Sequence, residues 1–274
     1  MKRRKMLSSI GINILAWLLS LTLLAPLLLI LLNSFKTNKA AADMNLALPS
    51  SMEWSNYSLV IEKGKLGTTF LNSMIYSVCS VLLCTLLCTM AAYVLSRNRR
   101  KLHRFLYLYL VLGIAMPINF ITLMKVMQVL KLINTRIGIV LLYTATQIPF
   151  NIFLIHSFVG KISPEIDEAA VIDGSSAAVL FFRIVMPLLK PVLVTVMVLT
   201  FLNTWNEFVM PLYFLGSTDK WPMTLAVYNF FGMYFKDWNL VCADIVLTSL
   251  PVIAVYLIGQ KYIVSGMTAG AVKG

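Results

Sequence analysis

The sequence predicts an all-α, polytopic membrane protein with about six transmembrane helices. Three observations carry that prediction. The 274-residue chain is 59% hydrophobic and only 12% charged, and its mean hydropathy of +0.83 lies far above that of a soluble globular protein. Its charges gather in clusters, which leaves residues 6–35, 67–96, 105–124, 137–160 and 245–260 free of Asp, Glu, Lys and Arg. About 20 apolar residues in a helix cross the roughly 30 Å hydrocarbon core. The basic residues sit beside these runs, as topology signals do. A large soluble protein can bury one such helix, but several in so short a chain point to a bilayer.

Span one covers roughly 10–33, behind Lys2-Arg3-Arg4-Lys5. It resembles a signal peptide but is too long and lacks a small-x-small cleavage site before Lys36, so it reads as a retained span. Pro26 inside it is tolerable in a membrane helix. Residues 35–67 are mixed and polar and read as an external loop. Span two covers roughly 69–94 and ends at Arg97-Asn98-Arg99-Arg100-Lys101. Span three covers roughly 104–124 with Pro117 inside, and span four roughly 138–158. A polar insert at 160–186 follows. Span five covers roughly 188–211 and carries Glu207. Residues 212–238 are aromatic and Gly-rich, and the charge-free stretch 221–235 is short for a span but suits a re-entrant or surface piece. Span six covers roughly 240–261, and a tail at 262–274 ends the chain. The whole reads as one transmembrane domain over 1–274.

Six spans place both termini on one side. The two strongest basic clusters, Lys2 to Lys5 and Arg97 to Arg104, fall on that side and make it cytoplasmic. Lys125, Lys131 and Arg136 fall on the other face and are outweighed. The net charge of +12 is therefore a matter of membrane orientation, and no nucleic-acid partner is expected. Cys79, Cys84, Cys88 and Cys242 lie in or near apolar windows and form no Cys-x-x-Cys pair, so they read as small buried hydrophobes. There is no phosphate-binding Gly-x-x-x-x-Gly-Lys-Ser/Thr loop, no His-Glu-x-x-His and no nucleophile triad. The chain is expected to bind no cofactor or metal and to be no enzyme. Asn56-Tyr57-Ser58 matches a glycosylation sequon.

The insert is cytoplasmic in this topology. Ser163 suits a helix N-cap and Pro164 the first helical position. Glu165, Asp167 and Glu168 crowd the first turns, where the helix dipole favours acids. Gly174 ends or bends the helix. Ala169 and Ala170 allow close approach by a partner. An apolar side on so short a helix argues for a docking surface over a solvated connector.

The spacing Glu168-Ala169-Ala170, three residues, Gly174, nine residues, Ile184, one residue, Met186-Pro187 resembles the coupling-loop signature of permease subunits in binding-protein-dependent ABC importers. The family usually has Leu where Met186 stands. Glu168-Ala169-Ala170-Val171-Ile172-Asp173-Gly174, Trp205-Asn206-Glu207-Phe208 and the terminal Gly270-Ala271-Val272-Lys273-Gly274 resemble its carbohydrate subfamily, typified by the maltose permease subunit. Asn72-Ser73 and Pro149-Phe150 also match.

The resemblance covers essentially the whole chain, with a family core at about 68–262, and it implies the type I importer permease fold. It implies ATP-driven uptake of a sugar or oligosaccharide across a bacterial cytoplasmic (inner) membrane. The implied partners are a homologous second permease subunit, two cytoplasmic ATPase subunits carrying ATP and Mg, and an extracytoplasmic sugar-binding protein. By resemblance Glu168, Ala169, Ala170, Asp173 and Gly174 seat on the ATPase, and Lys273 reaches toward the ATPase dimer.

Polar groups inside the spans are candidates for the solute path. Glu207 can serve a sugar hydrogen bond, gating or a structural contact. Asn119, Asn151, Asn203 and Trp205 join it, each open to a plain helix–helix role. Two other classes remain at this point. An ion-coupled secondary transporter needs midplane carboxylates, and the chain offers mainly Glu207. A permease of the same superfamily for glycerol phosphate or polyamine differs only in solute.

Overall fold

A computed structural model describes the backbone of residues 2–98, 100–232 and 236–271, with side chains from 12 to 262 apart from 14. The described elements are helical. The one pairing of extended backbone is an isolated bridge between Phe231 and Lys236. In chain order the helices are α1 (Lys2–Ser34), α2 (Asn38–Ala41), α3 (Ser55–Lys63), α4 (Leu66–Arg97), α5 (Lys101–Leu112), α6 (Phe120–Val129) and α7 (Arg136–Val159). Then come α8 (Glu165–Ile172), α9 (Ala177–Val179), a π-helical stretch at Leu180–Val185, α10 (Met186–Leu188) and α11 (Lys190–Trp205). The chain closes with α12 (Val209–Phe214), α13 (Met223–Ala226) and α14 (Trp238–Ala271).

Four helical stretches are long and apolar enough to cross a bilayer: Leu15–Ser34, Leu66–Arg97, Arg136–Val159 and Trp238–Tyr262. A fifth forms if Ala177–Leu188 and Lys190–Trp205, bent by 78°, count as one span. The protein is thus an all-α, multi-spanning membrane protein.

Two expected spans are drawn differently. Span three is broken into α5 and α6, because Gly113 and Pro117 bracket a stretch that cannot continue the helix and Asn119 starts a new one. Span five as expected at 188–211 stops at Trp205, capped by Asn206, whose N–H and side-chain amide both donate to the Leu202 carbonyl. Glu207 therefore stands in a non-helical turn before α12. Cys79 also departs from expectation: it is exposed, whereas Cys84, Cys88 and Cys242 are buried. Five residues turn a helix by about 140°, so Cys79 points away from the face that buries Cys84 and Cys88.

The chain divides into two compact units, residues 1–69 with 225–250, and 70–224 with 251–274. In the first, polar side chains tie down the end of α1. Asn56 is buried, and its amide donates to the carbonyls of Ser34 and Lys36 (2.9 Å each), so it is structural and closed to glycosylation. Lys36 is also buried, and its ammonium donates to Asn33 Oδ1 (3.0 Å) and to the carbonyl and Oδ1 of Asn45 (2.8 Å each). Phe35 packs on Trp54 and Tyr57.

In the second unit, Cys84, Cys88 and Ala92 of α4, Ile152 and Ile155 of α7, Ala170 of α8 and Val192 and Val196 of α11 form one apolar cluster. A second cluster joins Tyr76, Met127, Ile139, Tyr143, Met210 and Phe214. Small residues let backbones approach. A Cβ on Gly138 would lie 2.2 Å from the Leu132 carbonyl oxygen, and one on Gly259 would lie 2.7 Å from Val198 Cγ1. A backbone carbonyl cannot yield as side-chain methyls can. Gly138→Ala should therefore destabilise the protein by about 2–4 kcal/mol and Gly259→Ala by about 1 kcal/mol. Thermal unfolding in detergent checks the order, with Gly138→Ala melting lower.

A capped helix fastened to a membrane-crossing helix

The candidate docking helix α8 is defined at both ends. Ser163 Oγ accepts the Glu165 N–H at 3.3 Å, so the helix opens one residue later than its capping residues suggest. At the far end Gly174 has φ +77°, its N–H donates to the Val171 carbonyl (3.0 Å), and the Ser175 N–H donates to the Ala170 carbonyl (2.9 Å). That pair of bonds is the Schellman termination, which requires a left-handed residue at this point. Ser176 then caps the next helical stretch, its Oγ accepting the Val179 N–H at 3.4 Å.

α8 is bound to the bundle on one side only. Arg97, at the C-terminal end of α4, forms an ion pair with Asp167 at 2.6 Å, with both side chains largely buried. Its second terminal nitrogen reaches the other carboxylate oxygen at 3.5 Å, and its remaining one donates to the Ile162 carbonyl at 3.0 Å. The Tyr93 hydroxyl donates to the same carboxylate at 3.1 Å. Tyr93 also lies under the Arg97 guanidinium and against Phe181. Sequence reasoning assigned Arg97 to membrane orientation and Asp167 to the helix dipole. The signal for their pairing, one acid and one base beside the same interface, was present but not distinctive among so many basic residues.

The outer side of α8 carries the other candidates. Glu168, Ala169, Asp173 and Gly174 are exposed. Ala170 is buried in the apolar cluster of this chain, so its small size lets α8 sit close to the bundle. Ile172 is 85% exposed and Val171 62%, which gives the free side an apolar centre next to two acids. Lys273 lies outside the described residues.

Past α8, residues 180–185 widen to a π-helix and the chain bends by 78° at Leu189. Pro187 and Pro191 flank the bend and have no N–H to donate to the turn before them.

The residues expected on a solute path fall at the start of α6, on α7 and α11, and in the turn before α12. Asn119 is exposed and caps α6, its Oδ1 accepting the Thr122 N–H at 3.0 Å. Asn151 is buried and donates to Thr200 Oγ1 (2.9 Å) and Cys84 Sγ (3.1 Å). Asn203 is exposed and donates to Gln147 Oε1 at 3.0 Å. Trp205 is buried against Phe70 and Phe201. Glu207 is half-buried; its Oε1 accepts the Met210 N–H at 2.9 Å and its carbonyl accepts the Thr224 hydroxyl at 3.0 Å. The structure pairs Asn203 with Gln147 and, one turn along the same two helices, Asn151 with Thr200.

The fold matches a chain of a bacterial ABC transporter involved in the import of the acidic polysaccharide alginate, with a TM-score of 0.84 over 95% of this chain and 98% of that one, at 24% sequence identity. The description "Binding-protein-dependent transport system inner membrane component" matches residues 85–269. A probable starch degradation products permease of Thermoanaerobacterium thermosulfurigenes is 32% identical over 93% of both chains. A multiple sugar-binding transport system permease of Streptococcus mutans is 34% identical over 92% of both, and the melibiose/raffinose/stachyose permease of Bacillus subtilis is 30% identical over 96% of both. The chain belongs to the binding-protein-dependent transport system inner membrane components. It is a permease, the transport subunit of an ABC-type importer.

Arg97→Ala should release α8 from the bundle. A pair this deeply placed, yet not fully enclosed, contributes about 1–3 kcal/mol. Hydrogen exchange of the amides from 165 to 175 should speed up about tenfold or more, since 1.4 kcal/mol is a factor of ten. Arg97→Lys should recover only part of the protection, because an ammonium cannot fork onto a carboxylate.

Proposed function

We propose that the protein is one permease subunit of an ATP-driven sugar or oligosaccharide importer in a bacterial cytoplasmic membrane. Six spans with both termini in the cytoplasm complete the topology, counting α5 with α6 and the bent pair as one span each. A homologous permease supplies the other half of the path. Two cytoplasmic ATPase subunits bind ATP and Mg, and an extracytoplasmic binding protein delivers the solute. The sugar assignment is supported by relatives at 30% identity or more whose names specify sugars.

The single observation that carries the coupling role is the exposed side of α8. Ile172 stands 85% exposed on a helix whose other side is held by Arg97. In this reading Ile172 and Val171 fill an apolar cleft on the ATPase, while Glu168 and Asp173 meet basic or polar groups at its rim. Ala169 allows the close approach, Ala170 fits the helix to its own bundle, and Gly174 fixes the exit angle. Lys273 in the tail is assigned to a contact near the ATPase dimer. Of the path candidates, Asn203 with Gln147, and Glu207 in its turn, face the solute, while Asn151 and Trp205 hold the helices that carry them and Asn119 caps α6.

Burying an isoleucine contributes about 1.5–3 kcal/mol, or roughly ten- to a hundredfold in affinity. Ile172→Asp should therefore weaken co-purification of the ATPase by at least about tenfold and abolish uptake, with membrane insertion intact. Gly174→Pro should also uncouple, because proline cannot adopt φ +77° or donate the N–H to Val171. Normal uptake by Gly174→Pro in the reconstituted importer would sink the docking role.

A further inference from the structure

The turn between α4 and α5 gathers positive charge that the chain itself does not offset. Arg97, Arg99, Arg100, Lys101 and Arg104 fall within eight consecutive residues. Arg97 is committed to Asp167 and to the Ile162 carbonyl. Arg100, Lys101 and Arg104 are exposed, and among the described residues no ion pair joins them to an acid. The first turn of α5 holds no acid either. Membrane orientation asks for cations on this side of the bilayer, but not for a cluster of them on little more than one helical turn. Lys101 and Arg104 stand three residues apart, and Arg100 and Arg104 four. At those spacings side chains are neighbours on a helix surface, and like charges repel. A negative group from outside the chain offsets that repulsion.

The same patch is apolar at its edge. α5 buries none of its 12 residues. Leu102 and Phe105, each next in sequence to one of these cations, are 62% and 63% exposed. A soluble anion meets the charges and leaves both apolar side chains uncovered. A phospholipid meets both, with its phosphate on the cations and its glycerol and first acyl carbons against Leu102 and Phe105. Lys and Arg at the end of a span reach the headgroup level from such positions. Phosphatidylcholine brings a cation of its own with each phosphate, so the cluster selects a lipid of net negative charge. Arg97 is the last residue of α4, three before Arg100. The turn that meets the headgroup is thus the turn that holds Arg97 against α8.

We propose that Arg100, Lys101 and Arg104, with Leu102 and Phe105, bind the headgroup of an anionic phospholipid of the cytoplasmic leaflet, and that this lipid steadies Arg97 and through it α8. The lipid site rests on the topology given above, and its effect on coupling rests also on the import reading.

The test uses the intact importer reconstituted in vesicles of phosphatidylcholine alone, or of equal parts phosphatidylcholine and phosphatidylglycerol. The probe is a phosphatidylglycerol with a photoreactive group near its headgroup, and a phosphatidylcholine carrying the same group is the control. Phosphatidylglycerol should label residues 100–106 at least about tenfold more than the control lipid, since each cation near an anionic surface contributes about fivefold. Arg100→Gln, Lys101→Gln and Arg104→Gln together should remove that preference. All three side chains are exposed, and Arg97, Arg99 and the N-terminal cluster keep the orientation signal. Arg100→Lys with Arg104→Lys should keep the preference, because the headgroup is met as a charge. Solute taken up per ATP hydrolysed should fall when the wild type is moved from mixed vesicles to phosphatidylcholine, to the level that the triple Gln variant shows in both. Equal labelling by the two lipids means that another chain covers the patch, and overturns the proposal. Loss of labelling on adding glycerol 3-phosphate assigns the patch to a soluble phosphate, and overturns the lipid. A lipid response that survives in the triple variant overturns the link to α8. If the importer takes up no solute, the import reading fails, and the labelling still decides the lipid site.

Discussion

Inside a bilayer an unpaired N–H or C=O has no water to turn to, so a chain that crosses it stays helical unless something else satisfies the backbone. The long helices α1, α4, α7 and α14 obey this rule without interruption even where Pro26, Pro149 and Pro251 remove single donors. The departures are few and local. They fall at Gly113 to Asn119, at the bend on Leu189, and at Asn206 to Phe208. Each has its cause in the residues present: Gly with Pro and an Asn cap, a pair of prolines, and an Asn cap before a turn stabilised by Glu207. Function in a transport subunit concentrates at such places, because only there can the chain offer polar groups or a hinge at membrane depth.

Much of this was legible in the composition. Charge-free windows located α4 and α7 to within about three residues and the middle of α1 and α14, because the length needed to cross hydrocarbon is fixed; α1 starts earlier, at Lys2, and α14 runs on to Ala271. The break in span three was harder. Pro117 alone is compatible with a kinked but continuous helix; the break comes from Gly113, Pro117 and Asn119 acting together, and Gly113 depends on its contact with Pro149 some thirty-six residues away. Glu207 lay inside an apolar run, so hydropathy placed it in a helix. Its carboxylate instead takes the Met210 N–H and starts the next one, a choice set by local capping that hydropathy does not register.

The helix α8 shows a second limit. Spacing and capping placed α8 between Ser163 and Gly174, but not which side of it belongs to the bundle. Ala169 and Ala170 look alike in sequence, yet adjacent residues on a helix point about 100° apart, and only Ala170 enters the apolar cluster. The direction is decided by Asp167, since its bond to Arg97 turns one side inward and leaves Val171 and Ile172 outward.

That fastening bears on how a push from outside the membrane is carried. A helix of eight residues is too short to hold itself by propensity, so α8 can act as a lever only through its attachments. Arg97 joins it to the end of α4, a 32-residue helix about 48 Å long. Ala170 joins it to a cluster that also includes residues of α7 and α11. A displacement of α8 therefore meets a stiff rod at one contact and a packed core at the other. The path onward from α8 along the chain is different, since the π-helical stretch and the 78° bend intervene before α11. Close packing transmits strain and a bend with missing hydrogen bonds absorbs it. The side-chain contacts, rather than the covalent connection, are the stiff route from α8 to the membrane helices.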